Sequence, residues 1–419
     1  MINHIFKQIW AERRLNSWLL LELIAVFFFL LIMCDFLWVK VKNYTENPGF
    51  DHESTFILQL KLLNTAAPDY VDPEQNTMTP YEELIKLTDQ IKLYPDIESL
   101  SLSIYTKPYT MGGFWESITA DTISTPSSIR IRQIIPSYFD VFRMTSPNGT
   151  PIKIVTEGSR QAIIPESLAI RLYGSTDKAI GRDIRLSGQE ENDNARVVAV
   201  CANYKMHDFD PYKDTYFEIL RPDALEKHAN ENVTMFDLIV RTRPGTERHF
   251  VENFEIEMGE RLRVNNLYIS SVVSSEKLRD DVVGKMLRQD VLIMIYVLIF
   301  VLIVAFLGIF GSFWLRTRQR KCEIGIRMAM GASKKTISFS MIVEGFCLLI
   351  VSILPAFIIY YNLLNAEVLD VARLEFSFGR VLIALGSSLL IIILIIVGAI
   401  YQPAMQAAST PPVDALRDE

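Results

Sequence analysis

Cysteine and histidine are scarce in this chain of 419 residues, which has four cysteines and five histidines. Cys34, Cys322 and Cys347 lie in or beside long apolar segments, so Cys201 has no disulfide partner within the large polar part of the chain. No Cys/His spacing typical of a metal site occurs. A polar region of about 250 residues folds without either device, because it is long enough to bury a core.

Sequence motifs for catalysis are also missing. The chain has no G-x-x-x-x-G-K-[ST] phosphate-binding loop, since GASKKT at 331–336 lacks the leading glycine and the spacing. No Ser-His-Asp spacing and no pair of carboxylates stands out. His207 and Asp208, near Cys201, could form a site, but a surface turn is the simpler interpretation. We therefore expect no catalysis by this chain, no bound cofactor or metal, and no nucleic-acid partner.

Charge is almost absent from four long windows, residues 18–39, 291–314, 337–364 and 381–400. Each reaches the roughly 20 residues that a helix needs to cross about 30 Å of hydrocarbon. The remainder is ordinary globular sequence. The pattern predicts an α-helical membrane protein with four transmembrane helices and one large insertion at 40–287.

The first window is typical of an uncleaved anchor rather than of a signal peptide. Its apolar stretch is too long for a signal peptide. Asp35, Trp38 and Lys40 stand where a cleavage site would have small residues.

Basic residues in the short connections predict the orientation. Lys7, Arg13 and Arg14 precede the first window. Seven more basic residues lie in the loop between the second and third windows: Arg316, Arg318, Arg320, Lys321, Arg327, Lys334 and Lys335. Four spans place both clusters and the C-terminal tail on one side, which the positive-inside rule assigns to the cytoplasm. The insertion and the loop at 365–380 then lie outside.

The insertion contains the pattern strand, helix, strand twice. In ESTFILQLKLL, the residues Phe56, Leu58, Leu60 and Leu62 alternate, which predicts a half-buried strand. A helix then begins at a capping box formed by Thr79 and Glu82, and IESLSLSIYT follows as a strand. MFDLIVRTR, PGTERHFVENFEIEMGERLRV and NLYISSVVS repeat the pattern. Two such halves predict one open α/β sandwich, with a middle region rich in short strands looped out as a second subdomain.

The last segment of the insertion predicts a stalk. Leu278, Val282 and Met286 form one helical stripe, and only Gly284 interrupts the approach to the second span. We expect one helix to rise outside the bilayer and to continue through it.

Few polar residues interrupt the spans, and no row of charges marks a substrate path. We expect Glu22 and Asp35 to reach the two membrane interfaces. Glu344 lies deeper and is expected to bond a neighbouring helix. Pro355 is expected to kink the third span.

The basic loop also predicts a short helix from about 322 to 330. In it Ile324 and Met328 share one face, and Ile326 and Met330 share another. The helix carries an i, i+4 pair of Glu323 and Arg327. Gly331 is placed to end the helix, and Ser333 is placed to cap the third span. Such a helix either lies in the membrane interface or docks a partner.

The segment RTRQRKCEIGIRMAMGASKKTI resembles the cytoplasmic loop of the MacB/FtsX/LolC-E class of ABC-transporter permeases. MIVEGF (341–346) and the tail YQPAMQAASTPPVDALRDE (401–419) are similar to further segments of that class. In the insertion, IIPSYFDVF, AIIPESLAIRLYG, AIGRDIRL and RVVAVCANYKMHD resemble successive blocks of its periplasmic domain. The similarity covers nearly the whole chain in order.

The resemblance implies a bacterial inner-membrane permease, multi-pass, with both termini cytoplasmic and the large domain periplasmic. It implies a cytoplasmic N-terminal amphipathic segment (1–17), TM1 (18–39) and a periplasmic α+β domain (40–287). This domain would consist of two porter halves (about 50–120 and 232–275) and an inserted mostly-β subdomain (about 120–230). The remaining parts would be TM2 with its stalk (288–315), a coupling loop (316–336), TM3 (337–364), a short periplasmic loop (365–380), TM4 (381–401) and a cytoplasmic tail (402–419).

The resemblance also implies partners and a docking site. A separate cytoplasmic ATPase would carry the ATP and Mg²⁺, and a second permease, identical or related, would complete a dimer. Membrane lipids, and in an exporter an adaptor and an outer-membrane channel, complete the set. The ATPase-docking residues implied are Glu323, Ile324, Gly325, Arg327, Met328, Gly331, Ala332 and Ser333.

Three functions remain open for a permease of this class. One is MacB-type export of peptides or hydrophobic compounds. The second is FtsX-like control of a periplasmic wall hydrolase, although FtsX outer domains are smaller. The third is LolC/E-like lipoprotein extraction. A membrane-anchored sensing module without transport is a fourth possibility from another class.

Overall fold

The computed structural model describes residues 13–72, 74–110, 113–120, 123–125, 129–154, 159–186, 194–205, 207–209, 211–212, 214–282, 288–366 and 377–409. The chain divides into two compact units. The span unit comprises Met1–Asn43 and Leu287–Glu419, and the α/β unit comprises Tyr44–Met286.

The helices and strands alternate within the α/β unit, whereas the span unit is helical. The described helices are α1 (Arg13–Thr45), α2 (Pro80–Lys92), α3 (Ser137–Val141), α4 (Glu166–Tyr173), α5 (Thr176–Ala179), α6 (Pro222–Asn232), α7 (Phe250–Met258), α8 (Ser275–Val282), α9 (Arg288–Gln319), α10 (Lys321–Ala329), α11 (Lys334–Asn365) and α12 (Phe378–Ser409). The described strands are β1 (Thr55–Leu62), β2 (Ile97–Ile104), β3 (Phe114–Glu116), β4 (Ile118–Ala120), β5 (Ile123–Ser124), β6 (Ile129–Ile134), β7 (Gln161–Pro165), β8 (Asp183–Leu186), β9 (Ala195–Cys201), β10 (Thr215–Ile219), β11 (Phe236–Thr242), β12 (Arg263–Val264) and β13 (Leu267–Ser274).

Four helices, α1, α9, α11 and α12, are long and apolar enough to cross a membrane. Each contains one of the four nearly uncharged windows of the sequence, so the fold class predicted from these windows is confirmed. A helix of about 30 residues is roughly 45 Å long, which exceeds the hydrocarbon thickness. One apolar cluster, which includes Phe27, Leu30, Ile309, Leu348 and Ile396, joins the four helices.

The two strand–helix–strand repeats interleave in the α/β unit. Strand β1 lies between β13 and β11, and β11 lies between β1 and β2, with every neighbouring pair antiparallel. This order, β13-β1-β11-β2, is that of a βαββαβ sheet. Helices α2 and α7 pack on one face of it, where Leu84, Leu87, Phe250 and Phe254 are fully buried.

The middle region continues the same sheet. Strand β6 pairs with β2 through Ser103–Ile134 and Ile104–Gln133, and the order then runs β6-β10-β7-β9-β8-β4-β5. The predicted second subdomain is therefore joined to the first four strands through this short backbone ladder. Alternation of residues within a strand does not reveal which strand lies beside it.

The two faces of this sheet are covered differently. On one face, the first four strands and the middle strands have separate clusters, one around Leu58 and Leu238 and the other around Ile131 and Ile164. On the opposite face, one cluster extends across both regions. Its members include Ile57, Ile239, Ile134, Ile163 and Phe217.

Local signals in the sequence have mixed outcomes. The capping box of α2 is confirmed, because the Glu82 N–H donates to Thr79 Oγ1 (3.2 Å) and the Thr79 N–H donates to Glu82 Oε2 (2.8 Å). The prediction of a half-buried β1 is wrong, because Ile57 on its second face is 1% exposed and Leu62 on its first face is 48% exposed. The strand is covered by a cluster on each side.

Part of the predicted stalk can be followed. Leu278 and Val282 of α8 pack against the shared cluster of the sheet. Residues 283–287, and with them Met286 and the predicted continuity of α8 with α9, lie outside the described residues. The same holds for residues 1–12, for most of the polar hairpin tip, for 367–376 and for the last ten residues.

Candidate functional site

A short helix, α10, occupies the basic loop between α9 and α11. It covers Lys321–Ala329, one residue earlier than the sequence predicts. Gly331 follows with a φ of +97°, a left-handed conformation that glycine adopts without strain. Ser333 then caps α11, and its side chain accepts a hydrogen bond from the Thr336 N–H (3.2 Å). The chain thus leaves one span, makes one short helix and enters the next span within a few residues. We refer to α10 as the loop helix.

The loop helix has two apolar faces with different surroundings. Ile324 is 7% exposed and belongs to the core of the span unit, and Met328 and Ala332 pack against the same core. Gly325 is buried as well. The opposite face forms a stripe at helical spacing that we call the exposed stripe: Cys322, Ile326, Ala329 and Met330.

Two of the docking residues that the resemblance implies, Ile324 and Met328, lie on the packed face of the loop helix. Both face the helices of their own chain, and the apolar side chains that remain accessible are those of Ile326 (49% exposed) and Met330 (76% exposed). The 3.6-residue period identifies two faces of a helix but not which face meets a neighbour. The accessible apolar surface of the loop helix therefore lies on the exposed stripe.

The charged pair predicted on the loop helix is present. Arg327 and Glu323 form an i, i+4 ion pair, and their side chains are 40% and 41% exposed. Such a pair contributes a few tenths of a kcal/mol. Its place beside the exposed stripe gives the accessible surface a polar border.

The basic run before the loop helix is partly directed inward. Arg316 and Arg320 donate hydrogen bonds to the two carboxylate oxygens of Glu344, at 2.8 and 2.9 Å. Glu344 therefore bonds a neighbouring helix, as its position in the sequence predicts. Arg316 and Arg320 are therefore both paired inside the helix bundle. The sequence held a signal for this pairing, namely two arginines four residues apart and a single glutamate in the next span.

A second buried ion pair lies elsewhere in the span unit. Arg380 of α12 binds Asp35 of α1 through two hydrogen bonds of 2.6 Å, and the side chains are 4% and 5% exposed. Asp35, expected from the sequence to reach a membrane interface, is buried in this pair. Glu22 lies against Gly308 of α9, whose missing side chain leaves room for the carboxylate.

The weaker catalytic candidate in the α/β unit has a structural explanation. Asp208 is 6% exposed, and its Oδ2 accepts a hydrogen bond of 2.5 Å from Nε of Arg279 on α8. This ion pair links the Asp208 carboxylate to helix α8. Among the described residues, no group of histidine, cysteine, aspartate and glutamate is arranged to hold a metal ion.

Comparison with known proteins identifies both units. Residues 51–253 match the family model of the MacB-like periplasmic core domain, and residues 295–412 match that of the FtsX-like permease C-terminal domain. No curated protein matches.

Among solved structures, a domain of a permease protein from Porphyromonas gingivalis is 14% identical, with a TM-score of 0.34, and covers 53% of this chain and 91% of its own. The extracellular domain of the noncanonic ABC-type transporter YknZ from Gram-positive bacteria is 13% identical, with a TM-score of 0.28, and covers 51% of this chain and 100% of its own.

Permeases of these families are non-catalytic subunits of ABC transporters, and they imply an ATPase partner and a second permease. The four apolar helices agree with an inner-membrane protein that has a large extracellular domain. The two matched regions lie in the two compact units described above. The chain therefore belongs to the ABC-transporter permeases of the MacB/FtsX type.

Proposed function

We propose that this chain is the transmembrane subunit of a MacB-type exporter, which passes ATP-driven movement of a separate cytoplasmic ATPase to the periplasmic domain. The cargo is a peptide or a hydrophobic compound, delivered with the help of a periplasmic adaptor and an outer-membrane channel. ATP and Mg²⁺ are bound by the ATPase and not by this chain. Both termini and the loop helix lie in the cytoplasm, as the basic residues predict.

The exposed stripe carries this proposal. Its apolar side chains, above all Ile326 and Met330, are accessible on a helix whose other face is fixed in the span core by Ile324. A helix held on one side and apolar on the other suits insertion into a groove of a partner. Movement of that partner would then reach the spans through the packed face. The docking residues of the proposal are accordingly the exposed stripe with Glu323 and Arg327, while Gly331 and Ser333 set the ends of the helices.

Substitution of the exposed stripe tests the docking. Ile326→Asp and Met330→Asp place a charge in the proposed contact without touching the span core. We expect the ATPase subunit that co-purifies with the full-length permease from native membranes to fall more than about tenfold, since one buried anchor is worth 2 kcal/mol or more at an interface. Mass identification of every subunit in the intact complex is the readout.

Ile256→Asp is the matched control. Ile256 is 80% exposed on α7 in the α/β unit, so the same substitution there should leave the co-purifying ATPase unchanged. Met328→Asp is less informative, because Met328 also packs in the span core. Unchanged recovery of the ATPase with Ile326→Asp and Met330→Asp would argue against docking. A wall hydrolase or a lipoprotein carrier among the other subunits would replace export by the corresponding alternative.

A further inference from the structure

Three charged side chains meet where the loop helix joins the spans. Nη1 of Arg316, in the last turn of α9, lies 2.8 Å from Oε1 of Glu344, and Nη1 of Arg320 lies 2.9 Å from Oε2. The three side chains are 7%, 15% and 9% exposed for Arg316, Arg320 and Glu344. Each oxygen of the carboxylate thus accepts a charge-assisted hydrogen bond from a different arginine.

Arg320 occupies the turn between α9 and α10. Its N–H donates to the Arg316 carbonyl (2.9 Å), and its own carbonyl accepts from the Ile324 N–H (3.0 Å). Arg320 therefore belongs to the last turn of one helix and to the first turn of the next. An ion pair at this residue restricts the angle between the two helices.

Glu344 connects α11 to the end of α9 across the loop. It lies on α11, 11 residues after the cap Ser333, which is about 16 Å along a helix axis. The chain passes from α9 through the loop helix into α11, and Glu344 reaches back from α11 to the end of α9. The loop helix is thus held at its beginning by charge and one turn later by the burial of Ile324.

Burial of three charges is a poor means of stabilising a bundle. A well-packed apolar set of similar volume is often as stable or more stable, whereas a buried ionic group can specify one arrangement among several. Apolar contacts at Ile324 and Met328 tolerate small rotations of the loop helix, but two hydrogen bonds to one carboxylate do not. The cluster therefore fits a role in orientation.

We propose that Glu344 is a positioning residue, which through Arg316 and Arg320 orients the loop helix so that the exposed stripe faces the ATPase. The inference rests on the proposed function for the identity of the partner, but the orientation itself belongs to this chain alone. Neutralising Glu344 leaves the side chains of the exposed stripe unchanged, but the orientation of the loop helix becomes variable.

Spin labels measure this orientation in the full-length permease. Cys322 is the exposed one of the native cysteines, because Cys34, Cys201 and Cys347 are buried. Ile350, 61% exposed on α11, provides a second site as Ile350→Cys. In this background Glu344→Gln should broaden the distribution of label-to-label distances by more than about twofold, because the loop helix samples several orientations once the charge is lost.

Asp35→Asn is the matched control. It makes the same carboxylate-to-amide change at a buried ion pair, but at Arg380 and not beside the loop helix. It should leave the distribution narrow. Arg320→Gln should reproduce the broadening, and the double variant with Glu344→Gln should add little to it, because both changes remove one interaction.

A narrow distribution with Glu344→Gln, or equal broadening with Asp35→Asn, would overturn the assignment. Either result is separable from failure of the docking proposal, which is decided by co-purification with Ile326→Asp and Met330→Asp. The distance measurement needs no ATPase, so one proposal can fail while the other stands.

Discussion

Two buried acids of the span unit, Asp35 and Glu344, are each paired with arginine on another helix. Asp35 and Arg380 are 345 residues apart in the chain and form a bidentate pair that is almost inaccessible to solvent. In the sequence, Asp35 lies near the end of one apolar window and Arg380 directly precedes another. The sequence shows each charge but not the pairing, because a single sequence holds no information on which helix ends meet.

Loss of one member of this pair should cost more than loss of both. Asp35→Asn leaves the Arg380 guanidinium buried without its counter-charge, and such a change costs about 3–5 kcal/mol. The double variant Asp35→Asn with Arg380→Gln should regain part of that loss, because no net charge stays buried. Thermal unfolding of the full-length protein in detergent measures both. A double variant no more stable than the single would contradict a direct pair.

The element scale shows where prediction from sequence stops. Helix α2 was predictable in position, ends and buried face, because capping and the 3.6-residue period are local properties. The loop helix was predictable in position and length, but not in the face it buries, since Ile324 and Ile326 are equally apolar. Strand β1 was assigned one covered face and has two, because a cluster from distant segments covers Ile57.

The connection between α1 and β1 depends on a glycine. Gly49 has a φ of +84°, and a Cβ on it would lie 2.0 Å from the carbonyl oxygen of Asn203. Gly174 after α4 has nearly the same φ of +82° but open space around it. Both positions require a positive φ, but only Gly49 approaches another part of the backbone, the carbonyl of Asn203.

Alanine at these two glycines separates the two effects. Gly174→Ala should cost about 1–2 kcal/mol, the penalty of a left-handed residue with a side chain. Gly49→Ala should cost a further 1–3 kcal/mol or so, because the added methyl must displace backbone. The free energies of unfolding of the two variants are compared in the full-length protein, with proteolysis of the α/β unit as the measure of unfolding. Equal losses would show that the approach to Asn203 has no energetic weight.

At the scale of the whole molecule, the sequence predicts that the large insertion and the basic loop lie on opposite sides of the membrane. The match to a periplasmic core domain agrees with a large extracellular domain, and the basic residues predict a cytoplasmic loop. The composition alone indicates this division, because the uncharged windows and the short basic connections are properties of long segments. The assignment needs no knowledge of tertiary contacts.

Cysteine labelling tests this topology. Leu93 is 83% exposed at the end of α2, so Leu93→Cys in a Cys322→Ala background should react with a membrane-impermeant maleimide when only the outer membrane is permeabilised. Native Cys322 should react only after the inner membrane is opened. Reaction of both from the same side would refute the orientation and with it the docking of a cytoplasmic ATPase on the loop helix.

The shared cluster on one face of the sheet limits how such a chain can change by recombination. Ile57 and Ile239 come from segments on either side of the middle region, and Ile163 and Phe217 come from within it. Deleting residues 120–230, or exchanging them for those of a distant relative, would strip one side of β1 and β11 of its cover. The middle region therefore cannot be exchanged independently, and we expect it to evolve together with the strands that flank it.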